Sequence, residues 1–204
     1  AGNPYGKFWR VRECTTHWAF HSGGWFWHPG NTYPLSLCEH VNLYYRTVGL
    51  GANTIINLPP DNRGLVPEDI VKAAERFGAE IKRRFSDPIA TMDQVIKDTI
   101  VEIDLGKAQK VNTIVTMENI ANGQRIAEYT LEYWRDGKWK RFKPMNYYLN
   151  ANHPYRSSVG YETIGHKKID RVATVKTDRI RFRCLKSVAG TPEIRSIAVY
   201  NIYE

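Results

Sequence analysis

The pattern of apolar and polar positions changes near residue 85 and divides the chain into two parts. In the first part, residues 8–13 form a short β-prone run, and the almost continuous apolar run at 53–58 is typical of a strand buried on both faces of a parallel sheet. Apolar residues recur at helical spacing over 37–49 and 67–85. The order strand, helix, strand, helix predicts parallel α/β structure.

Local signals place the ends of the predicted helices. Ser36 and Glu39 form a capping box in front of the first helix, and Gly49 ends it. Pro67 is a residue that the first turn of a helix accepts, and the acidic Glu68 suits the positive end of the helix dipole. These signals predict a first helix of about 13 residues and, after the buried strand, a second amphipathic helix.

The segment between the first strand and the first helix is rich in Gly, Ser, His, Pro and aromatic residues and shows no sustained period. A long irregular segment in a compact domain is usually functional. Because ligands bind at the carboxyl ends of parallel strands, we expect Glu13, this aromatic loop and Asn57 to lie at one site. Two parallel strands leave unpaired edges, so residues 1–85 predict the end of a larger sheet, such as a (β/α)₈ barrel.

From residue 99 the pattern changes to short strands separated by turns, which is typical of an antiparallel β-sandwich or jelly roll. Asp136 and Gly137 form a hairpin signal between two of these runs. We interpret residues 86–98 as a linker and residues 99–204 as the sandwich. The predicted strands lie at 101–105, 111–115, 129–134, 138–142, 171–175, 180–185 and 194–200.

The composition excludes some classes of partner. The chain of 204 residues has a formal net charge of +8, but the excess is spread over both parts. The basic cluster at 179–183 alternates with apolar residues, as on the solvated face of a strand. We therefore expect no nucleic-acid partner, and no apolar run approaches the ~18 residues of a membrane span. Three cysteines without paired spacing specify neither a disulfide framework nor a zinc site.

Aromatic and histidine side chains are concentrated near the start of the chain, since four of the six Trp and four of the six His precede residue 41. Two interpretations fit Trp25: stacking on the apolar face of a sugar ring, or packing as a loop aromatic. Trp27 and His28 either flank such a sugar or serve as packing residues. The histidines lack the helical spacing of a metal motif, so we expect no metal.

Ordered segments of the chain resemble a known enzyme family. Trp9–Cys14, Gly24–Pro29, Tyr44–Gly49 and Asn57–Leu65 resemble the end of the catalytic barrel of the α-L-fucosidases of glycoside hydrolase family 29, particularly the subgroup that prefers branched α-1,3/1,4-fucosides. Three later segments resemble the discoidin-like, or F5/8 type C, β-sandwich that often follows that barrel. These are Val101–Gly106, Glu118–Ile126 and Glu162–Lys168.

The resemblance also exposes a departure. In such modules, opening strands normally precede the strand that begins at Val101, but here only a short segment separates it from the second helix. We therefore expect either that the sandwich is incomplete or that a segment is absent from this chain.

The resemblance implies an exo-acting, retaining hydrolase that releases terminal α-L-fucose and needs no cofactor. Such enzymes use two carboxyl groups about 5 Å apart. By resemblance, the Asp nucleophile and the Glu acid/base both lie upstream of Ala1, and Glu13 is the local alternative for the acid/base. The expected partners are a fucosylated oligosaccharide or glycoconjugate and the upstream catalytic segment, in a secreted or periplasmic location. The candidate substrate-binding residues are Glu13, Trp25, Trp27 and His28.

A second hypothesis treats the chain as a non-catalytic carbohydrate-binding module or lectin. Trp134 and Trp139 flank the predicted hairpin. They suit either a sugar-binding platform or cross-strand packing within the sheet.

Overall fold

A computed structural model describes residues 3, 5–8, 10–20, 25–145 and 162–203 of the chain. The first part alternates strands and helices, and the second part is antiparallel β-sheet. The first part contains, in chain order, β1 (Arg12–His17), β2 (Ala19–Phe20), β3 (Tyr33–Pro34), α1 (Leu37–Arg46), a 3₁₀ helix (Val48–Leu50), β4 (Ala52–Asn57) and α2 (Glu68–Phe85).

β1 and β4 form the parallel pair that the order of elements predicts. Arg12 lies opposite Ala52 at the amino end of the pair, and His17 lies opposite Asn57 at the carboxyl end. β2 and β3 form a short antiparallel hairpin within the predicted irregular segment. α1 begins at the predicted capping box of Ser36.

The first strand lies four residues further along the chain than the sequence pattern indicates. The strand runs to His17 because its partner β4 offers six consecutive pairing positions, while residues 8–11 precede it. Glu13 is therefore the second residue of β1 and does not stand at its carboxyl end. This corrects the predicted placement of Glu13 beside the aromatic loop.

The parallel pair is covered on one face. Ile56 packs with Ile70 and Ala73 of α2, whereas Ile55 points to the opposite face and is 46% exposed. The apolar run predicted burial on both faces, but the described residues form only a two-stranded sheet there and leave one face open. The missing cover is the physical reason for the difference.

In the described residues of the second part, all the strands pair into one sheet. The strands are β5 (Ala90–Met92), β6 (Ile96–Lys97), β7 (Ile100–Glu118), β8 (Ile126–Arg135), β9 (Lys138–Arg141), β10 (Lys168–Ser187) and β11 (Glu193–Tyr200). Their spatial order is β5-β11-β7-β10-β8-β9, and β6 also pairs with β11. The predicted Asp136-Gly137 hairpin joins β8 to β9.

Two long strands, β7 and β10, make this sheet fold over a single core. The sequence predicts each of them as two separate strands. The pairing of β10 with β7 shifts register after Arg171 and again after Thr177, and Gly106 adopts a φ of 73° within β7. Leu131 of β8 and Ile197 of β11 belong to one buried cluster, although β7 and β10 lie between these two strands in the sheet. The architecture is therefore consistent with a β-sandwich.

Part of the predicted linker belongs to this sheet. β5 and β6 lie within residues 86–98, and both pair with β11. The Ile89 N–H also donates a hydrogen bond to the Val199 carbonyl over 2.7 Å. Strand pairing in the second part thus begins before residue 99.

The helices and the sheet share a buried cluster. The rings of Phe85 and Tyr200 meet edge to face, with centroids 5.5 Å apart. The Arg171 guanidinium lies over the Tyr45 ring at 4.7 Å from its centroid. The cluster combines Tyr44, Tyr45 and Phe85 with Val115, Ile169, Ala198, Tyr200 and Ile202.

No helix in the described part of the chain is long and apolar enough to cross a membrane. Cys14, Cys38 and Cys184 are free thiols. Cys38 lies on α1, where its sulfur accepts a hydrogen bond from the Asn42 side chain over 3.4 Å.

Candidate functional site

The carboxyl ends of β1 and β4 hold the aromatic loop in place. The Asn57 side-chain amide donates a hydrogen bond to the Trp25 carbonyl over 2.7 Å. The His17 ring meets the Trp25 ring edge to face, with centroids 5.9 Å apart. Since His17 and Asn57 lie opposite each other in the parallel register, the two strand ends and Trp25 form one cluster. We call His17, Trp25 and Asn57 the strand-end cluster.

A buried stack supports this cluster from below. The Trp18 N–H donates to the Asn57 carbonyl over 3.0 Å, and the Trp18 ring stacks on the His40 ring with centroids 3.8 Å apart. The His40 Nε2 lies 3.1 Å from the Trp18 carbonyl. Burial lowers the pKa of His40, so its ring is neutral at pH 7. A neutral, fully packed His40 is a structural support for the loop.

The strand-end cluster presents an open aromatic surface. The Trp25 side chain is 44% exposed, Trp27 is half-buried and His28 is exposed. The Thr32 hydroxyl accepts a hydrogen bond from the His28 N–H over 2.7 Å, which closes the turn that follows. The structure therefore brings Trp25 to the predicted end of the sheet, with Trp27 and His28 next to it in sequence.

Glu13 lies away from this surface. Three residues lie between Glu13 and His17, and the four strand steps correspond to roughly 13 Å along β1. Glu13 lies opposite Asn53 near the amino end of the pair. The structure does not place Glu13 beside the strand-end cluster.

The loop after β4 contains Asp61, whose carboxylate accepts hydrogen bonds from Arg63. Asp61 accepts two hydrogen bonds on Oδ2 from the Arg63 guanidinium, at 3.0 and 2.7 Å, and one on Oδ1 from the Arg63 N–H at 2.8 Å. The hydrogen bonds from Arg63 hold the pKa of Asp61 below its usual value. Asp61 is thus an ionised structural group of this turn and a poor proton donor.

The contact between His17 and Trp25 was not predicted from the sequence. His17 falls outside the predicted strand, and its pairing opposite Asn57 follows only from the observed register. The signal available in the sequence was the position of Asn57 at the end of a buried run. Within the described residues, no group of three or more His, Cys, Asp or Glu is placed to hold a metal ion.

The two tryptophans of the second part pack across the hairpin. Trp134 lies directly opposite Trp139, and their rings meet at 68° with centroids 5.2 Å apart. The Arg179 guanidinium lies 4.7 Å from the Trp134 centroid, and that of Arg181 lies 4.5 Å from the Trp139 centroid. Since arginines lie over both rings, this geometry favours cross-strand packing over a sugar platform.

Comparison with known proteins identifies the second part of the chain. The sequence pattern of the F5/8 type C domain family matches residues 91–198, which is more than half of the chain. The chain belongs to this family. The match includes the register-shifted strands β7 and β10 and begins within the predicted linker.

The whole chain is related to α-L-fucosidases of glycoside hydrolase family 29. It is 23% identical to α-L-fucosidase 1 of Arabidopsis thaliana over 233 aligned positions, covering 98% of this chain and 42% of that protein. A solved structure from Bacteroides thetaiotaomicron, assigned as an α-L-fucosidase, matches with a TM-score of 0.82 and 31% identity over 99% of this chain and 43% of that one. A family 29 fucosidase of Ruminococcus gnavus, solved with fucose, matches with a TM-score of 0.79 and 25% identity over 100% of this chain and 43% of that one. The chain thus spans less than half the length of each of these relatives.

Proposed function

We propose that this chain is the carboxyl-terminal part of a retaining exo-α-L-fucosidase and supplies part of the rim of the fucose pocket. The observation that carries the proposal is the strand-end cluster. It fixes an exposed tryptophan at the carboxyl ends of two parallel strands, where α/β enzymes bind substrate. The relation to fucosidases supplies the substrate class, a terminal α-L-fucosyl group on an oligosaccharide or glycoconjugate.

The open face of the parallel pair supports a barrel. Ile55 is 46% exposed, and β1 and β4 each have one neighbour among the described strands. An exposed apolar sheet face with unpaired edges is unfavourable in water, so further strands of a (β/α)₈ barrel would cover it. In this proposal residues 1–85 contribute the last two β/α units, and the sandwich follows.

Trp25 is the proposed sugar contact. Its ring is large and rigid, and it can cover the apolar face and methyl group of a fucosyl ring without competing hydrogen bonds. The Asn57 amide holds the Trp25 backbone carbonyl and the His17 ring packs against the Trp25 ring, so the indole is preorganised for the sugar. Trp27 and His28 are proposed to contact the part of the glycan beyond fucose, in an α-1,3- or α-1,4-linked branch.

The chemistry requires carboxyl groups from another part of the barrel. A retaining mechanism needs a nucleophile and an acid/base about 5 Å apart across the glycosidic bond. Glu13 lies near the amino end of β1, and Asp61 is engaged by Arg63. We therefore propose that both catalytic carboxyl groups lie upstream of this chain and that Glu13 takes no part in proton transfer.

The test compares hydrolysis of an aryl α-L-fucoside by the full-length protein, its Trp25→Ala variant and the 204-residue chain. The Trp25→Ala variant is expected to lose ten- to a hundredfold in kcat/KM, about 1.4–2.8 kcal/mol of transition-state stabilisation. The isolated chain is expected to be inactive. Hydrolysis by the isolated chain would contradict the assignment of the catalytic carboxyl groups.

Trp139→Phe in the full-length protein is the matched control, since it alters a tryptophan of the sandwich and retains an aromatic ring. It is expected to leave kcat/KM unchanged. If glycan binding were lost in Trp139→Phe and kept in Trp25→Ala, the lectin hypothesis would replace the one proposed here.

A further inference from the structure

A second cavity lies toward the amino end of the parallel pair, the opposite end from the strand-end cluster. Its volume is 710 Å³. This lies within the ~300–1,000 Å³ of typical small-molecule sites. The described residues that precede β1 form one wall, and sandwich residues around Gln124 and His166 form another. We call it the junction cavity because both parts of the chain contribute to it.

Positive charge lines the junction cavity. Lys7, Arg10 and Arg12 are exposed, and none of them forms an ion pair with a described residue. No Asp or Glu occurs among the described residues that line it. Burial, followed by the nearby Arg195 and Lys167 charges, lowers the pKa of His166 on the same wall. A cavity lined by one sign of charge concentrates ligands of the opposite sign.

The remaining lining suits a sugar chain. The Nε2 amide of Gln124 is buried and has no hydrogen-bond partner among the described residues. A buried unsatisfied donor costs about 1–3 kcal/mol, so a rotation of the Gln124 side chain that exposes this N–H to a ligand oxygen would be favoured. Phe8 lines the same cavity and is 84% exposed, whereas the Lys186 ammonium lies over the Tyr5 ring at 5.3 Å from its centroid. An exposed aromatic ring such as that of Phe8 can cover the apolar face of a sugar.

A buried carboxylate holds the sandwich wall of the cavity in place. Glu118 accepts hydrogen bonds from the backbone N–H groups of Arg125, Ile126 and Gly165. Burial raises the pKa of Glu118, while these three N–H groups act in the opposite direction. Because this one carboxylate joins the residues that follow Gln124 to the residue that precedes His166, the wall is preorganised for a ligand.

We propose that the junction cavity binds an acidic oligosaccharide, a sugar chain that carries carboxylate or sulfate groups. Lys7, Arg10 and Arg12 bind the anionic groups, the Gln124 amide donates to a sugar oxygen, and Phe8 lies against a sugar ring. The lining of the cavity is by itself the reason to expect an anionic ligand. The expectation that this ligand is a saccharide rests also on the proposed function. Five strand steps separate the two ends of β4, roughly 16 Å, so this site is distinct from the fucose pocket.

Isothermal titration calorimetry on the full-length protein tests the proposal. The probes are a uronic-acid hexasaccharide, a sulfated hexasaccharide, a neutral hexasaccharide, inorganic sulfate and a short single-stranded DNA, each at low and moderate salt. The combined Lys7→Gln, Arg10→Gln and Arg12→Gln variant is expected to bind the acidic hexasaccharides at least tenfold more weakly. Gln124→Leu is expected to weaken the binding of the acidic hexasaccharides several-fold.

Arg183→Gln is the control for loss of a positive charge outside the cavity, because Arg183 is an exposed arginine of β10 and does not line the cavity. This variant is expected to bind the acidic hexasaccharides with the same affinity as the unmodified protein. Whichever acidic hexasaccharide binds more tightly identifies the anionic group. The proposal is overturned if the triple variant binds normally, if the neutral hexasaccharide or inorganic sulfate binds equally well, or if DNA binds more tightly through the same residues.

Hydrolysis of an aryl α-L-fucoside separates this inference from the proposed function. The triple variant is expected to keep the full rate, since the cavity lies away from the strand-end cluster. If the unmodified protein binds acidic hexasaccharides through these residues but releases no fucose, the proposed function fails and the junction site stands.

Discussion

Arg84 is a charged side chain that folding almost removes from water, with 8% of its side chain exposed. Its Nε donates to Glu80 over 2.6 Å, and its Nη1 donates to the Tyr45 hydroxyl over 3.2 Å. Arg83 donates to the same Glu80 carboxylate through Nε and Nη2, each at 2.7 Å. One carboxylate on α2 therefore serves two arginines next to the contact between the helices and the sheet.

Glu80→Gln is expected to destabilise the fold by about 2 kcal/mol at pH 7, because it removes hydrogen bonds between charged groups and leaves Arg84 largely buried. Hydrogen bonds from Arg83, and then from Arg84, lower the pKa of Glu80 to about 2. A lowered pKa contributes stability above the unfolded value near 4.5, and this stability is lost as the pH falls toward 2. Urea denaturation across this pH range should therefore show the difference between variant and unmodified chain shrinking with acid.

Glu75→Gln, at an exposed position of the same helix, is the control for this substitution and is expected to change stability by less than about 0.5 kcal/mol. A difference at Glu80 that stays constant from pH 7 to pH 2 would contradict the role given to its ionised form.

At the scale of secondary-structure elements, helix starts and tight turns are determined by residues that are close in sequence, whereas strand bounds are determined by pairing with distant segments. The start of α1 is local: the Ser36 hydroxyl accepts a hydrogen bond from the Glu39 N–H, and the Glu39 carboxylate accepts one from the Ser36 N–H. The turn at Asp136 and Gly137 is also local, with φ values of 55° and 73°. These values match the mirror-image turns that suit a twisted hairpin. Both features were predictable because their partners lie within four residues.

Ser36→Ala is expected to lower the free energy of unfolding by about 1 kcal/mol, because it removes the side-chain acceptor of the capping box. The measurement is a urea denaturation curve followed by circular dichroism. Ser86→Ala is the control: Ser86 follows the last residue of α2, and its backbone N–H, which the substitution retains, makes the cap hydrogen bond. Equal losses in the two variants would show that the capping box contributes nothing specific.

For the whole molecule, the decisive feature is the contact between the helical part and the sandwich. Gly51 ends the 3₁₀ helix with a φ of 78°, and a Cβ there would lie 3.1 Å from the Lys167 carbonyl of the sandwich. Gly49 likewise faces Ile169. Small residues after α1 thus let the second part approach closely, so the F5/8 type C domain is packed against the helical part of the chain.

Gly51→Ala is expected to destabilise the chain by about 2–3 kcal/mol, through both the left-handed backbone and the close contact with a backbone carbonyl. Gly64→Ala is a matched control, because Gly64 has a φ of 76° but nothing within 4 Å of the added Cβ. It is expected to cost about 1 kcal/mol from the backbone alone. Thermal denaturation measures both variants, and similar losses would contradict a close contact between the two parts.

What the sequence determined by itself was everything that depends on neighbours in the chain. The capping box of α1, the apolar stripe of α2, the hairpin at Asp136 and the outward alternation of 179–183 are set by spacing, and they appear where the pattern predicts. Buried Ile180 and Phe182 between outward arginines are the expected result of a period of two.

What only the tertiary structure decided was everything that depends on a distant partner. The register of β1 against β4 moved the strand to Arg12–His17, placed His17 rather than Glu13 at the site and left Ile55 exposed. Pairing with β11 drew residues of the predicted linker into the sheet. Strand bounds are set by hydrogen bonds to segments far away in sequence, so periodicity can locate a strand but cannot choose its register.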